Sequence, residues 1–180
     1  QGARRLNELG AASLPRFHEA GAQVLHITGP ADFDMVQLAY EACPEAGSIR
    51  NFCSEIQYAY AAADLALCRS GASTLTELAF YEIPSVLIPY PYAAEDHQTL
   101  NANIFSEPGA AESWTQDDLD ETRFAERILA LLGDSEKLAT MKNAMHQLAI
   151  PDASDRVCEV ICSHLVTTGA GERSGSESQA

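Results

Sequence analysis

Short apolar segments alternate with helix-patterned segments along most of the chain, and this alternation constrains the fold more than any other feature. Nearly continuous apolar runs are typical of strands that are buried on both faces of a sheet. The predicted strands cover 23–28, 48–53, 65–68, 85–89 and 110–114. Strands and helices that alternate at this spacing indicate right-handed βαβ units, and therefore an α/β fold with a parallel sheet and helices on both faces.

The segments between and after these strands have helical spacing. They cover 31–43, 55–63, 74–81, 97–105, 118–132, 135–149 and 152–165. Three consecutive helices at the end suit a domain that closes with a helical cap. In an open parallel sheet, ligands bind beyond the carboxyl ends of the strands, in the loops that lead into helices. We therefore expect the functional residues in those loops.

The charge balance excludes some partners. The 180 residues, a length that predicts one domain, include 11 Lys and Arg against 26 Asp and Glu, a formal net charge of −15. Such a surface repels phosphate backbones and anionic lipid, so we expect no nucleic-acid binding. An anionic ligand must be held by a local positive feature. No apolar run approaches the roughly 18 residues that a membrane-spanning helix needs.

The five cysteines include no C-x-x-C pair, and their odd number argues against a disulfide framework or a zinc site, which favours a reducing compartment. Cys158 and Cys162 lie four positions apart in a predicted helix, and we expect them to be buried as an apolar pair. The chain opens on Gln1 in a helix-like segment, so we expect it to be a piece of a longer protein. Residues 167–180 are rich in Gly, Ser and Glu and predict a disordered tail.

The most informative loop follows the third predicted strand, where residues 69–74 (RSGAST) run into a helix. Small residues let a ligand approach the backbone closely, and the first amides of a helix have no partners within the helix, so together with the helix dipole they can bind an anion. Ser73 and Thr74 add hydroxyl donors. Glu77 lies one turn further on the same face and suits vicinal hydroxyls such as those of a ribose. Phosphate on amides and ribose on an acid suggest a nucleotide.

The residues of this loop also have a purely structural interpretation. Ser70 or Ser73 can cap the helix, and Glu77 can favour its positive end. Arg69 can offset phosphate charge or pair with an acid. The loop lacks the G-x-x-x-x-G-K-[ST] pattern, which excludes a P-loop NTPase.

Two further loops end predicted strands. In the loop spanning 88–102, Gln98 offers both a donor and an acceptor, which suits a sugar. Beside it, His97 is either an acid or base or a hydrogen-bonding residue at the start of the helix, and Asn101 caps or braces the loop. In the loop 51–54, the backbone groups of Cys53 can read the edge of a base.

These motifs, in this order, resemble the C-terminal half of the MurG family of bacterial glycosyltransferases. The matching pieces are 1–7 (QGARRLN), 63–64 (AD), 68–72 (CRSGA), Thr74 with Glu77, 83–84 (IP), 88–91 (IPYP), 97–98 (HQ) with 101–102 (NA), 109–111 (GAA) and 151–153 (PDA). The resemblance implies the GT-B fold, in which two Rossmann-like domains enclose the active site. Residues 1–166 would be the domain that binds the donor, UDP-N-acetylglucosamine.

The resemblance also implies a role for each matching position. Cys53 would supply backbone contacts to uracil, and Glu77 would accept the ribose hydroxyls. Gln98, with His97 beside it, would contact the sugar. The diphosphate would be cradled by Ala72, Ser73, Thr74, Leu75 and Thr76, with Arg69 at the strand end before them. The family lacks an Asp-x-Asp metal site, so no metal or cofactor is expected.

The activity implied is an inverting transfer of N-acetylglucosamine to lipid I, which gives lipid II in peptidoglycan synthesis. The acceptor domain, the candidate base and most of the membrane contact belong to the other half, so we expect no catalytic residue here and no activity from these 180 residues alone. The implied location is the cytoplasmic face of the bacterial inner membrane, as a peripheral protein. Two alternatives stay open: a non-catalytic UDP-sugar-binding module or subunit of a split transferase, and half of a UDP-sugar epimerase.

The chain departs from the family pattern at two places. The family motif begins with Gly-Gly-Ser, whereas this chain starts after those residues and after the strand that leads into them. Glu82 stands where the family usually has a glycine that closes a helix. A left-handed backbone there would cost roughly 1 kcal/mol more with Glu than with Gly.

Overall fold

The computed structural model describes residues 3–93 and 96–169, and this part of the chain forms parallel strands alternating with helices. Each predicted strand is present, and a helix not assigned from the sequence precedes the first one. The elements are α1 (Arg4–Glu19), β1 (Val24–Ile27), α2 (Phe33–Ala42), β2 (Gly47–Arg50), α3 (Ile56–Ala62), β3 (Ala66–Cys68), α4 (Ala72–Phe80), β4 (Ser85–Leu87), α5 (His97–Ser106), β5 (Ala111–Ser113), α6 (Glu121–Gly133), α7 (Ser135–Leu148) and α8 (Ala153–Gly169). Short 3-10 turns lie at Pro44–Ala46 and Gln116–Asp118.

All strand pairs in the described residues are parallel, as predicted, but they form two sheets. β1 pairs with β2, while β3, β4 and β5 pair in that order. The sequence predicts a single sheet. Among the described strands, however, β1 exchanges backbone hydrogen bonds with β2 alone. Its side chains Leu25 and Ile27 are 45% and 38% exposed.

β4 is the central strand of the larger sheet, and both of its faces are buried. Val86 and Ile88 belong to one apolar cluster, and Leu87, which points to the opposite face, belongs to another. The helical side chains in these clusters include Leu9 of α1 and Phe124 of α6 on the first face, and Leu78 of α4 and Met145 of α7 on the second. Helices therefore cover both faces of this sheet, and the prediction of an α/β fold is confirmed.

The chain divides into two compact units, Gln1–Ala149 and Ile150–Ala180. α8 belongs to the second unit, and Cys158 and Cys162 are both exposed on it, so the prediction of a buried pair is wrong. A helix buries its side chains only where another surface covers it, and every α8 side chain from 153 to 165 is exposed. α8 continues to Gly169, and the rest of the predicted tail, 170–180, lies outside the described residues. Among the described residues, no helix combines the length and apolar character that crossing a membrane requires.

Candidate functional site

The first turn of α4 has three backbone N–H groups without an acceptor in the described structure. Gly71 precedes the helix in an extended conformation, with φ −72° and ψ 138°, and no side chain caps the helix. The first hydrogen bond of the helix runs from the amide of Leu75 to the carbonyl of Gly71, at 3.0 Å. The amides of Ala72, Ser73 and Thr74 come before it and lie at the positive end of the helix dipole. Amides in this position can bind an anion, as the sequence predicts, and their binding of a diphosphate stays a prediction.

Neither serine proposed as a cap, Ser70 or Ser73, caps α4. Ser70 is fully buried, and its hydroxyl donates to the carbonyl of Gln98 at 2.7 Å, so it does not cap α4. The hydroxyls of Ser73 and Thr74 make no hydrogen bond to another described residue. Glu77 is the sixth residue of the helix, beyond the first turn in which the dipole acts strongly on a charge.

The other two residues predicted at the diphosphate are already engaged within the protein. Leu75 is only 2% exposed and packs in the cluster beneath α4. The hydroxyl of Thr76 donates to the carbonyl of Ala72 at 3.0 Å, one turn earlier in the same helix. In this turn, the groups without a partner among the described residues are therefore those of residues 72–74.

The Glu77 carboxylate is held by an aromatic residue that the sequence analysis did not identify. The hydroxyl of Tyr60, on α3, donates to Oε2 of Glu77 at 2.7 Å. Burial, followed by the hydrogen bond to Glu77 and its negative charge, raises the pKa of Tyr60 above its ordinary value. The hydroxyl therefore keeps its proton and acts as the donor. The one sequence signal is a pair of tyrosines, Tyr58 and Tyr60, in an Ala-rich helix.

Arg69 connects two loops at the carboxyl ends of the strands. Its Nη1 donates to the carbonyls of Ile88 at 3.0 Å and Pro89 at 3.1 Å, and its Nη2 donates to the side chain of Gln116 at 2.6 Å. Its guanidinium lies 5.4 Å from the centroid of the Tyr90 ring, and burial lowers its pKa. These contacts brace the loop after β4, and a direct role of Arg69 on phosphate stays a prediction.

The loop after β4 is tied to the loop after β3. Oε1 of Gln98 accepts from the amide of Tyr90 at 3.0 Å, which leaves the Nε2 group of Gln98 without a partner among the described residues. Asn101 donates to the carbonyl of Ser70 at 3.1 Å, so of its two predicted roles it takes the bracing one. His97 is exposed at the first position of α5. His97 and Gln98 thus lie in the first turn of α5, which is tied through Ser70 to the loop before α4.

The third predicted loop approaches the same region through the helix that follows it. Cys53 is partly buried and lies just before α3, the helix that carries Tyr60. At the end of β3, burial raises the pKa of the Cys68 thiol to about 12, so this thiol is not a nucleophile at neutral pH. Within the described ranges no three His, Cys, Asp or Glu side chains form a group that could hold a metal ion. The arrangement suits the binding of an anion that carries vicinal hydroxyls.

Comparison with known proteins identifies the family. The model of the glycosyltransferase family 28 C-terminal domain matches residues 1–157. The chain belongs to this family. The family 28 match includes all three loops described above.

Individual relatives agree with this assignment. A protein from Methylococcus capsulatus is 39% identical over 159 residues, which cover 88% of this chain and 45% of that protein. One from Microcystis aeruginosa is 42% identical over 168 residues, which cover 89% and 44%. Both are named UDP-N-acetylglucosamine--N-acetylmuramyl-(pentapeptide) pyrophosphoryl-undecaprenol N-acetylglucosamine transferase. The chain thus spans about half the length of the curated relatives it matches.

A solved structure supports the same conclusion about the fold. The crystal structure of Acinetobacter baumannii MurG superimposes with a TM-score of 0.75 at 30% sequence identity, covering 91% of this chain and 49% of that one. The resemblance to the MurG family and to the C-terminal half of its GT-B fold is confirmed.

Proposed function

We propose that this chain is the donor-binding half of an inverting glycosyltransferase that moves N-acetylglucosamine from UDP-N-acetylglucosamine to lipid I. The observation that carries the proposal is the row of open amides at Ala72, Ser73 and Thr74, in a chain that belongs to glycosyltransferase family 28. The formal net charge of −15 gives the surface no general attraction for a diphosphate. The positive end of α4 supplies that attraction locally.

The rest of the donor follows from the positions around this helix end. Glu77 accepts the ribose hydroxyls, because its exposed carboxylate lies about one turn beyond the open amides. The backbone at Cys53 contacts the uracil. Gln98, whose Nε2 group has no partner among the described residues, contacts the sugar together with His97.

This half contributes to the reaction by stabilising the leaving group. The acceptor hydroxyl oxygen bonds to the anomeric carbon of the sugar while the bond from that carbon to the diphosphate oxygen breaks, so UDP leaves with the electron pair and the configuration inverts. Negative charge on the diphosphate grows as the bond breaks, and amides that are already aimed at it stabilise the transition state more than the substrate. The base that takes the hydroxyl proton belongs to the other half.

The proposal includes a location and an acceptor. Lipid I would bind mainly through the half outside this chain, which would also make most of the membrane contact. We place the protein at the cytoplasmic face of the bacterial inner membrane, as a peripheral enzyme of peptidoglycan synthesis.

The test removes one amide without disturbing the helix. Proline is well tolerated at the first residue of a helix, and its preceding residue must be extended, as Gly71 is. Ala72→Pro in the intact protein should therefore weaken UDP binding by about 1.5–3 kcal/mol, typical of a hydrogen bond to a charged group, and leave uridine binding unchanged. Glu121→Pro is the matched control, because it opens α6 after an equally extended residue, Asp120. Isothermal titration calorimetry measures the affinity of each of the two variants for UDP and for uridine.

Two outcomes would contradict the proposal at different levels. Equal UDP affinity of the Ala72→Pro and Glu121→Pro variants would show that the α4 amides do not bind the diphosphate. Normal UDP-N-acetylglucosamine binding without any transfer of labelled sugar to lipid I would favour a non-catalytic UDP-sugar-binding module.

A further inference from the structure

Tyr60 makes a contact that no role assigned so far requires. Its hydroxyl lies 2.7 Å from Oε2 of Glu77, and within the described part of the chain this is the only hydrogen bond of that carboxylate. The rest of the Glu77 side chain projects from an exposed face of α4. The contact thus fixes a side chain that would otherwise be free to move.

The Tyr60 ring is itself held in place, so it can serve as a fixed anchor. It packs against the ring of Tyr81, with centroids 5.4 Å apart, and against the cluster of apolar residues beneath α4. α3 therefore presents the hydroxyl from a position that does not depend on Glu77.

We propose that Tyr60 is a positioning residue for donor binding, whose hydroxyl holds the Glu77 carboxylate in the orientation that accepts the ribose hydroxyls of a uridine nucleotide. This rests on the proposed function, in which Glu77 accepts those hydroxyls. A carboxylate has about four acceptor positions on its two oxygens, so one bond from Tyr60 leaves Oε1 and a second position on Oε2 for the ribose. A long side chain that is ordered before the ligand arrives loses less conformational freedom on binding.

The experiment separates ribose recognition from the rest of the nucleotide. Calorimetry on the intact protein compares UDP with 2′,3′-dideoxyuridine diphosphate, which keeps the base and the diphosphate but lacks both hydroxyls. Tyr60→Phe removes the hydroxyl and keeps the ring. Tyr58→Phe is the matched control, since Tyr58 lies on the same helix with a side chain that is 67% exposed.

The expected results form a double-mutant cycle. Tyr60→Phe weakens UDP binding about 2- to 10-fold, in line with one newly mobile side chain, and leaves dideoxy-UDP binding unchanged. Glu77→Ala removes the preference for UDP over dideoxy-UDP, and adding Tyr60→Phe to it has no further effect. Tyr58→Phe changes neither affinity.

Failure of this inference can be told apart from failure of the proposed function. If Glu77→Ala removes the preference for UDP while Tyr60→Phe keeps wild-type affinity, Tyr60 has no positioning role and the ribose assignment stands. If Glu77→Ala keeps the preference for UDP over dideoxy-UDP, Glu77 does not accept the ribose hydroxyls. The ribose assignment of Glu77 and the positioning role of Tyr60 are then both overturned. A Tyr60→Phe variant that loses only thermal stability shows that the contact is merely structural.

Discussion

Glu82 has a left-handed backbone conformation that glycine adopts at lower energy. It lies between α4 and β4 with φ 56°. This conformation costs a residue with a side chain about 1–2 kcal/mol. Glycine avoids that cost but loses more conformational freedom on folding, by about 0.5–1 kcal/mol. On the backbone alone, Glu82→Gly should therefore stabilise the protein by about 0.5–1 kcal/mol.

The side chain of Glu82 partly offsets this strain. Its Oε1 lies 2.7 Å from Nδ1 of His146, with side-chain exposures of 35% for Glu82 and 72% for His146. A pair this exposed contributes about 0–1 kcal/mol. Glu82→Ala removes the pair and keeps the strain, so it should destabilise the protein by that amount. Glu82→Gly removes both, so it should exceed Glu82→Ala in stability by about 0.5–1 kcal/mol.

Urea unfolding of the intact protein measures these differences, provided that the slope of the free energy against urea is the same for each variant. His146→Ala should lose as much stability as Glu82→Ala, since both remove the same pair. A Glu82→Gly variant no more stable than Glu82→Ala would refute the assignment of backbone strain to this residue.

Two further predictions concern a buried hydroxyl and a titrating carboxylate. Ser70→Ala should lower the free energy of unfolding by about 1 kcal/mol and also weaken UDP binding measured by calorimetry, because the first turn of α5 loses a tie to the loop before α4. Ser85 is equally buried, and Ser85→Ala should lower the stability without changing UDP binding. Equal UDP binding by the two variants would contradict the role given to Ser70. Burial acts to raise the pKa of Glu112, but hydrogen bonds from Lys137 and Trp114 outweigh it and hold that pKa below its ordinary 4.5. The ionised Glu112 carboxylate therefore stabilises the fold fully above pH 4.5, and this stabilisation is lost as the pH falls further. Glu112→Gln should flatten the acid side of a plot of melting temperature against pH. An unchanged acid side would contradict the assignment.

The sequence predicts the strands well because each is a short apolar run, and burial on both faces of a sheet requires such runs. The run at 85–89 shows this clearly, since its residues contribute to clusters on both sides of the larger sheet. The division into two sheets could not be predicted, because pairing depends on which strands are neighbours in space. The exposure of Cys158 and Cys162 was missed for a similar reason: a helical spacing shows which residues share a face, and says nothing of what covers that face.

The candidate site is predictable where its chemistry is local. Small residues between a buried strand and a helix are enough to indicate the open amides at 72–74. Ser70 was harder to interpret, because its hydroxyl partner lies 28 residues further along the chain. The hydrogen bond from Tyr60 to Glu77 spans 17 residues and two helices, so no local pattern contains it.

A crystal structure of the intact protein with UDP would show whether the amides at the start of α4 bind the diphosphate. We expect diphosphate oxygens within about 2.7–3.2 Å of the amide nitrogens of Ala72, Ser73 and Thr74. The ribose hydroxyls should lie against Glu77. A diphosphate bound elsewhere, with those three amides facing solvent, would contradict the account.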